Sequence, residues 1–295
     1  MRLFLLTAIT MIAFAANSVL NRWAVGQGWI GPAGFAMIRL VSGAVMLALI
    51  LGVRLALTRE VIWPQGWPIL FGVGGLIVYL LGFSLAYTHL DAGTGALVLF
   101  GFVQVTMFAG ALLLREPVPP RRWVGSGVAL VGLYVLAAPT FETRDLGGAV
   151  LMMAAAGVGW GFYSLAGRRQ RDAQTATAVN FVLAVPVMIY LFYNVLGWVD
   201  LEMAEEGAVN HAWGPALAVV SGAVTSGLGY ALWYAILPHL GAARAAVAQL
   251  TVPVIAAAGG AALLAEAPGW RFALSATLVL GGVALASLQS GFTRR

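Results

Sequence analysis

Apolar residues run through this chain in stretches of membrane-crossing length, and its few charged residues fall between them. A helix needs about 20 apolar residues to cross a bilayer. On that measure ten spans are expected, at 3–20, 33–53, 67–87, 93–114, 123–138, 147–167, 177–196, 213–237, 242–265 and 270–288. The first has the basic start and apolar core of a signal peptide, but no convincing small-residue cleavage site precedes a soluble domain, so it is read as a retained helix. The expected fold is an all-α integral membrane protein of ten transmembrane helices.

The pattern repeats. Residues 80–116 match residues 230–266 at a constant offset of 150 positions: His89, Leu90, Gly110 and Glu116 find the same residue types at His239, Leu240, Gly260 and Glu266, and Arg121 continues the register at Arg271. Shared Leu and Gly mean little in apolar sequence, whereas His, Glu and Arg in register are hard to obtain from composition alone. Two units are expected, 1–140 and 141–295, with five spans each. An odd number of crossings places the second unit upside down relative to the first. Internal repeats of this kind are frequent in secondary transporters, whose site lies where the repeats meet.

Composition sharpens the picture. A chain of 295 residues that is 61% hydrophobic and 9% charged cannot cover its apolar surface in water. Its net charge of +5 comes from Arg spread between spans rather than clustered on a soluble face, so no nucleic-acid partner is expected. With the N-terminus in the cytoplasm, twelve Arg fall inside and only Arg22, Arg39, Arg144 and Arg271 outside, which favours cytoplasmic termini. The acidic residues Asp200, Glu202, Glu205 and Glu206 fall in an outer loop under this scheme. No Cys is present, and His89, His211 and His239 are too scattered for a metal site. Neither a GxGxxG after a strand, nor a Lys-bearing phosphate loop, nor HExxH, nor GxSxG occurs, so no cofactor or metal is expected. An intramembrane enzyme is disfavoured because the spans hold no Asp or Glu and no adjacent His pair.

Polar and aromatic residues at mid-span are therefore the candidate substrate-binding set. They are Asn17 and Ser18 in the first span, Tyr79 in the third, Gln104 in the fourth, and Trp160 and Tyr163 in the sixth. The eighth adds Ser226, Tyr230, Trp233 and Tyr234, and the ninth Gln249. Trp at span ends, including Trp63, Trp67, Trp123, Trp198 and Trp270, reads as an interfacial belt. Arg22 and Arg168 read as interface anchors. Arg39 reads either as a topological anchor that snorkels or as a charge drawing anions into an outer vestibule. Pro253 either kinks the ninth span or breaks it and frees backbone polar groups.

The run YALWYAILPHLGAARAAVAQLTVPV ahead of Glu266, its counterpart GFSLAYTHLDAGTGALVLF ahead of Glu116, the first-span FAANSVLNR and Arg39 together resemble the drug/metabolite transporter superfamily, in its ten-helix EamA-type branch. The second half matches more specifically, and the first departs in carrying Val103 where the second has Pro253, so any role for that proline applies to one repeat only. The resemblance implies a basket of inverted five-helix repeats, with helices one, three, four, six, eight and nine around a central cavity. It also implies export of small metabolites, with aromatic amino acid exporters the nearest analogue. The first span lacks the Glu that small multidrug exporters carry there, which disfavours lipophilic-cation efflux. The expected function is an inner-membrane exporter of aromatic or large neutral amino acids, working by alternating access and facilitated diffusion, with the bilayer and a small-molecule substrate as its partners. A different metabolite or drug, a proton-coupled antiport or lipid flipping within the same superfamily are the alternatives.

Overall fold

The computed structural model describes residues 1–58, 60–113, 115, 120–137, 144–194 and 212–287, with backbone alone at 122, 137, 144, 238, 241–247, 286 and 287. Expectations for Glu116, His211, Trp198 and the acidic loop lie outside the described residues. In lipid each backbone N–H and C=O must find its partner within the segment, which selects helices. Among the described residues all regular structure is helical. The elements are α1 (Arg2–Gly26), α2 (Pro32–Thr58), α3 (Trp67–Ala86), α4 (Ala92–Leu113), α5 (Pro120–Ala137), α6 (Arg144–Gly167) and α7 (Ala173–Asn194). Next, α8 joins an α-helical stretch Trp213–Val219, a π-helical stretch Val220–Leu228 and a second α-helical stretch Gly229–Gln249; α9 (Val252–Leu264) and α10 (Trp270–Ser287) complete the bundle.

Among the described residues seven helical segments are long and apolar enough to cross a membrane, and the shorter apolar helices 123–136, 252–264 and 270–285 bring the set to ten. Leu49, Leu70, Val131 and Val182 point outwards and are exposed, a surface that would drive aggregation in water and that lipid covers in a bilayer. Trp63, Trp67, Trp123 and Trp270 are exposed as well, as an interfacial belt requires.

Helix contacts repeat across the two halves. Contacts of α3 with α6 are matched by those of α1 with α8, α4 with α6 by α9 with α1, and α2 with α8 by α7 with α3; α2 packs on α7, α4 on α9 and α5 on α10. Each pair maps onto another, or onto itself, when five is added to the helix number, as a pseudo-two-fold arrangement requires.

Glycine sets the closest approach. A methyl group at Gly75 would stand 2.6 Å from the Gly159 carbonyl oxygen, and one at Gly159 would stand 2.7 Å from that of Gly75. Backbone therefore touches backbone where α3 meets α6, the small-residue packing that membrane helices favour. Gly159→Ala is expected to lower stability by about 1–3 kcal/mol through overpacking. An unchanged melting temperature in detergent would show that the two helices have room to part.

The ninth span differs from a single kinked helix. Residues up to Gln249 extend α8, the chain turns at Leu250 and Thr251, and α9 starts anew with Pro253 in its first turn. Proline has no N–H to bond back to residue 249, and the Thr251 hydroxyl donates to the Ala248 carbonyl at 2.7 Å, so the ladder stops there.

At one end of the bundle α2 is tied to α7. The Asp172 carboxylate accepts from the Thr175 backbone N–H (3.0 Å) and hydroxyl (2.8 Å) and pairs with Arg54 Nη1 at 2.8 Å. Burial pushes the Asp172 carboxyl up, but these bonds and the guanidinium outweigh it and hold the pKa below the ordinary carboxylate value. A depressed folded value means that this stabilisation is complete above the unfolded pKa of about 3.9 and is lost as pH falls through the lower folded value. Melting temperature should therefore fall more steeply below about pH 4 in the parent than in Asp172→Asn, which lacks the group that titrates. Parallel curves would remove Asp172 from the acid response.

Candidate functional site

A cavity of about 420 Å³ occupies the interior between α4, α6 and the second half of α8. Its wall includes Gln104, Trp160, Trp233, Tyr234 and Gln249, five residues of the expected set. It runs to Gly167, Arg168 and Ala173, at the end of the bundle where Asp172 lies. Of the six lining helices implied by the family resemblance, α4, α6 and α8 meet this cavity; Ser126 of α5, Ala173 of α7 and Val283 of α10 contribute as well, while α1, α3 and α9 do not. The physical reason lies at the opposite end.

There Arg22 Nε pairs with Glu266 Oε1 at 2.9 Å, and Arg22 Nη1 donates to the carbonyls of Tyr87 (3.2 Å) and Thr88 (3.1 Å). Asp91 stands 3.9 Å from Arg22 Nη2, and Glu266 Oε2 accepts the backbone N–H of Ala92 at 2.8 Å. Ala92 opens α4, so the carboxylate also sits where a helix N-terminus favours negative charge. These bonds draw together the ends of α1, α3, α4 and α9. Arg22, read from the sequence as a simple interface anchor, is a closure. The bundle is thus open at the Asp172 end and shut at the Glu266 end.

Between the cavity and the closure lies a second pocket of about 20 Å³, bordered by Asn17, Ser18, Tyr79, Phe83, Trp160 and Tyr230. Trp160 belongs to both spaces. Its ring centroid lies 4.9 Å from that of Tyr79, 5.1 Å from Tyr163 and 5.2 Å from Tyr230, so the indole forms a partition held by three phenols. Tyr230 is itself packed edge-on against Phe14 (5.6 Å) and Phe181 (5.9 Å). Ser226 and Tyr163 border neither space. Tyr163 is buried behind Trp160, and its hydroxyl donates to Thr177 Oγ1 at 2.9 Å.

Ser226 belongs to a buried polar network. Asn17 Oδ1 lies 2.8 Å from Ser221 Oγ, 2.6 Å from Thr225 Oγ1 and 3.2 Å from Ser226 Oγ. Three hydroxyls at 221, 225 and 226 reach one oxygen because this part of α8 is π-helical: its i→i+5 ladder brings residues four and five apart onto one face. Gly222 permits the backbone of this stretch to lie directly on the Arg39 carbonyl.

Arg39 is where sequence reasoning missed most. It is 0% exposed and neither snorkels nor reaches an outer vestibule. Nε donates to Ser226 Oγ at 3.1 Å and Nη2 to Tyr79 Oη at 2.8 Å, while the guanidinium carbon lies 4.9 Å from the Phe83 ring centroid and 5.2 Å from that of Tyr79. Its signal in the sequence was a lone charge within an apolar span, which costs roughly 2.5–3.5 kcal/mol on insertion scales and so calls for a function. Asn21, whose Nδ2 donates to Ser84 Oγ at 2.8 Å, was missed too; it follows Asn17 by one helical turn.

A helical membrane bundle with repeated halves, an interior cavity open at one end and a charged closure at the other defines a membrane transporter. The chain belongs to the EamA-like transporter family, whose model matches residues 1–138 and again 147–288. This is a family of transporters, not of enzymes. A Pseudomonas aeruginosa protein described as uncharacterized is 43% identical over 286 residues, spanning 96% of this chain and 94% of that one. An aromatic amino acid exporter of Ancylobacter novellus is 27% identical over 264 residues, 84% of each chain. A crystal structure with a TM-score of 0.62 and 22% identity covers 95% of this chain and 96% of its own, and supports the fold.

Proposed function

We propose that the protein is an inner-membrane exporter of aromatic or large neutral amino acids, each repeat supplying half of the site with its boundary near residue 140. The observation that carries this is the lining of the cavity. Trp160, Trp233 and Tyr234 offer flat apolar faces for a side chain, and Gln104 and Gln249 offer amides for its polar end. A volume of about 420 Å³ falls in the usual range for small-molecule sites. The likeness to an aromatic amino acid exporter supports the same class.

The Arg bias between loops favours cytoplasmic termini, which turns the open Asp172 end toward the cytoplasm and the Arg22–Glu266 closure toward the outside. In this arrangement the cavity receives substrate from the cell. Export then requires that the Glu266 end open while the Asp172 end closes, the two repeats rocking about Trp160. Among the described residues no carboxylate borders either space, which supports facilitated movement of a zwitterion over obligatory proton exchange.

The test is efflux from liposomes that contain the purified protein and a panel of labelled amino acids. Aromatic and large neutral members should leave first, at rates indifferent to an imposed pH gradient. Failure to move any of the panel while a lipid analogue crosses the bilayer would reverse the reading.

A further inference from the structure

Two of the arginines that tie the bundle are met by carboxylates, Arg22 by Glu266 and Arg54 by Asp172. Both ties stand at the ends of the bundle. Arg39, fully buried between α2, α3 and α8, is met by hydroxyls and ring faces, which bond to the guanidinium without cancelling its charge. Among the described residues its buried Nη1 has no hydrogen-bond partner. A guanidinium carries five N–H donors in a fixed fork that suits a carboxylate's two oxygens. An arginine serving only as an anchor would reach the interface and be hydrated. This one is held inward.

We propose that Arg39 is an anion receptor of the transport path and takes the substrate's carboxylate; the identity of that anion rests on the amino-acid reading above. Its surroundings form the route. Tyr79 bonds to Arg39 and borders the small pocket, Trp160 borders that pocket and the large cavity, and Asn17 and Ser18 supply further polar atoms beside them. At about 20 Å³ the pocket holds one water-sized group in this conformation. A carboxylate from the cavity therefore gains the Nη1 protons when the Trp160 ring moves off Tyr79. The aromatic side chain then remains against Trp160 and Tyr230, and the neutral partners already on Nε and Nη2 hold the fork in place. Tyr79 Oη accepts from Arg39, which leaves its own proton to donate to the incoming oxygen. A neutral amide or an amine in the same place would leave the charge uncancelled.

The experiment measures the wild-type protein in liposomes with labelled L-phenylalanine, together with tryptophan fluorescence in detergent under titration with phenylpropionate, phenethylamine and L-phenylalaninamide. Phenylpropionate should bind at least tenfold more tightly than the amine or the amide, as loss of a charge-assisted pair costs about 10- to 100-fold. Arg39→Gln should abolish that preference and Arg39→Lys should restore part of it, a ratio that a purely structural arginine would not move. If Arg39→Gln fails to fold, the wild-type ratio and Arg39→Lys decide the matter. Equal binding of acid and amide by the wild type, or an unchanged preference in either variant, overturns the proposal. Phenylalanine export without acid preference would leave the exporter reading standing and remove this one; Arg39-dependent phenylpropionate binding without phenylalanine export would do the reverse.

Discussion

Trp160→Ala is expected to reduce export to below a tenth of the parental rate while the protein still folds. The indole is the wall between a cavity of about 420 Å³ and a pocket of about 20 Å³, and it faces open space on one side. Its removal joins the two and takes away the stacking surface on which an aromatic substrate would rest. Each of its three contacts with Tyr79, Tyr163 and Tyr230 contributes about 0.5–1.5 kcal/mol, so a moderate fall in melting temperature accompanies the lost transport. Trp160→Phe should retain much of both. The contrast is Tyr230→Ala. That ring is 3% exposed and packed on Phe14 and Phe181, and its truncation should cost about 3–5 kcal/mol and take folding with it. Gln249→Ala, at the cavity wall, should weaken substrate affinity and leave melting close to the parent. If Trp160→Ala exports at the parental rate, the partition is not part of the path.

Glu266→Gln should open the closed end. The Glu266 side chain is 11% exposed and that of Arg22 22%, so the pair is partly screened, and breaking it should cost the closed state about 1–3 kcal/mol, below the value for a fully buried pair. That range corresponds to about a 5- to 150-fold rise in the population open at this end. The chain has no cysteine, so a single one at Ser18 reports on access without background. Labelling by an impermeant maleimide from the Glu266 side should rise by that factor in Glu266→Gln. Exchanging both charges, Arg22→Glu with Glu266→Arg, should restore closure only in part, because the Ala92 N–H then loses its acceptor. Unchanged labelling in Glu266→Gln would mean that packing, not the ion pair, shuts this end.

Much of the architecture can be read from the residues. The ten spans follow from run length, because lipid leaves a chain segment no alternative to the helix. The duplication follows from His89, Arg121 and their counterparts His239 and Arg271. The candidate residues at mid-span are legible because polar groups in lipid are costly and face the bundle interior. Nine members of the set, Gln104, Trp160, Trp233, Tyr234, Gln249, Asn17, Ser18, Tyr79 and Tyr230, border one of the two spaces. Sequence spacing does not separate them from Tyr163, which lies one turn beyond Trp160 and packs behind it. An α-helical period also hides the π-helical stretch that turns Ser221, Thr225 and Ser226 together onto Asn17.

By itself, then, the sequence determined a helical membrane protein of repeated halves, its spans and the residues with the chemistry to meet a substrate. The tertiary structure decided which end is closed, that Trp160 divides the interior, and that Arg39 points inward with an Nη1 that has no partner among the described residues. The reason is physical. Apolar run length reports the transfer of each segment from water to lipid, a local quantity summed along the chain. Pairing of Arg22 with Glu266, 244 residues apart, depends on how far each helix slides and turns against its neighbours, which close packing of side chains and glycine contacts between distant segments set together.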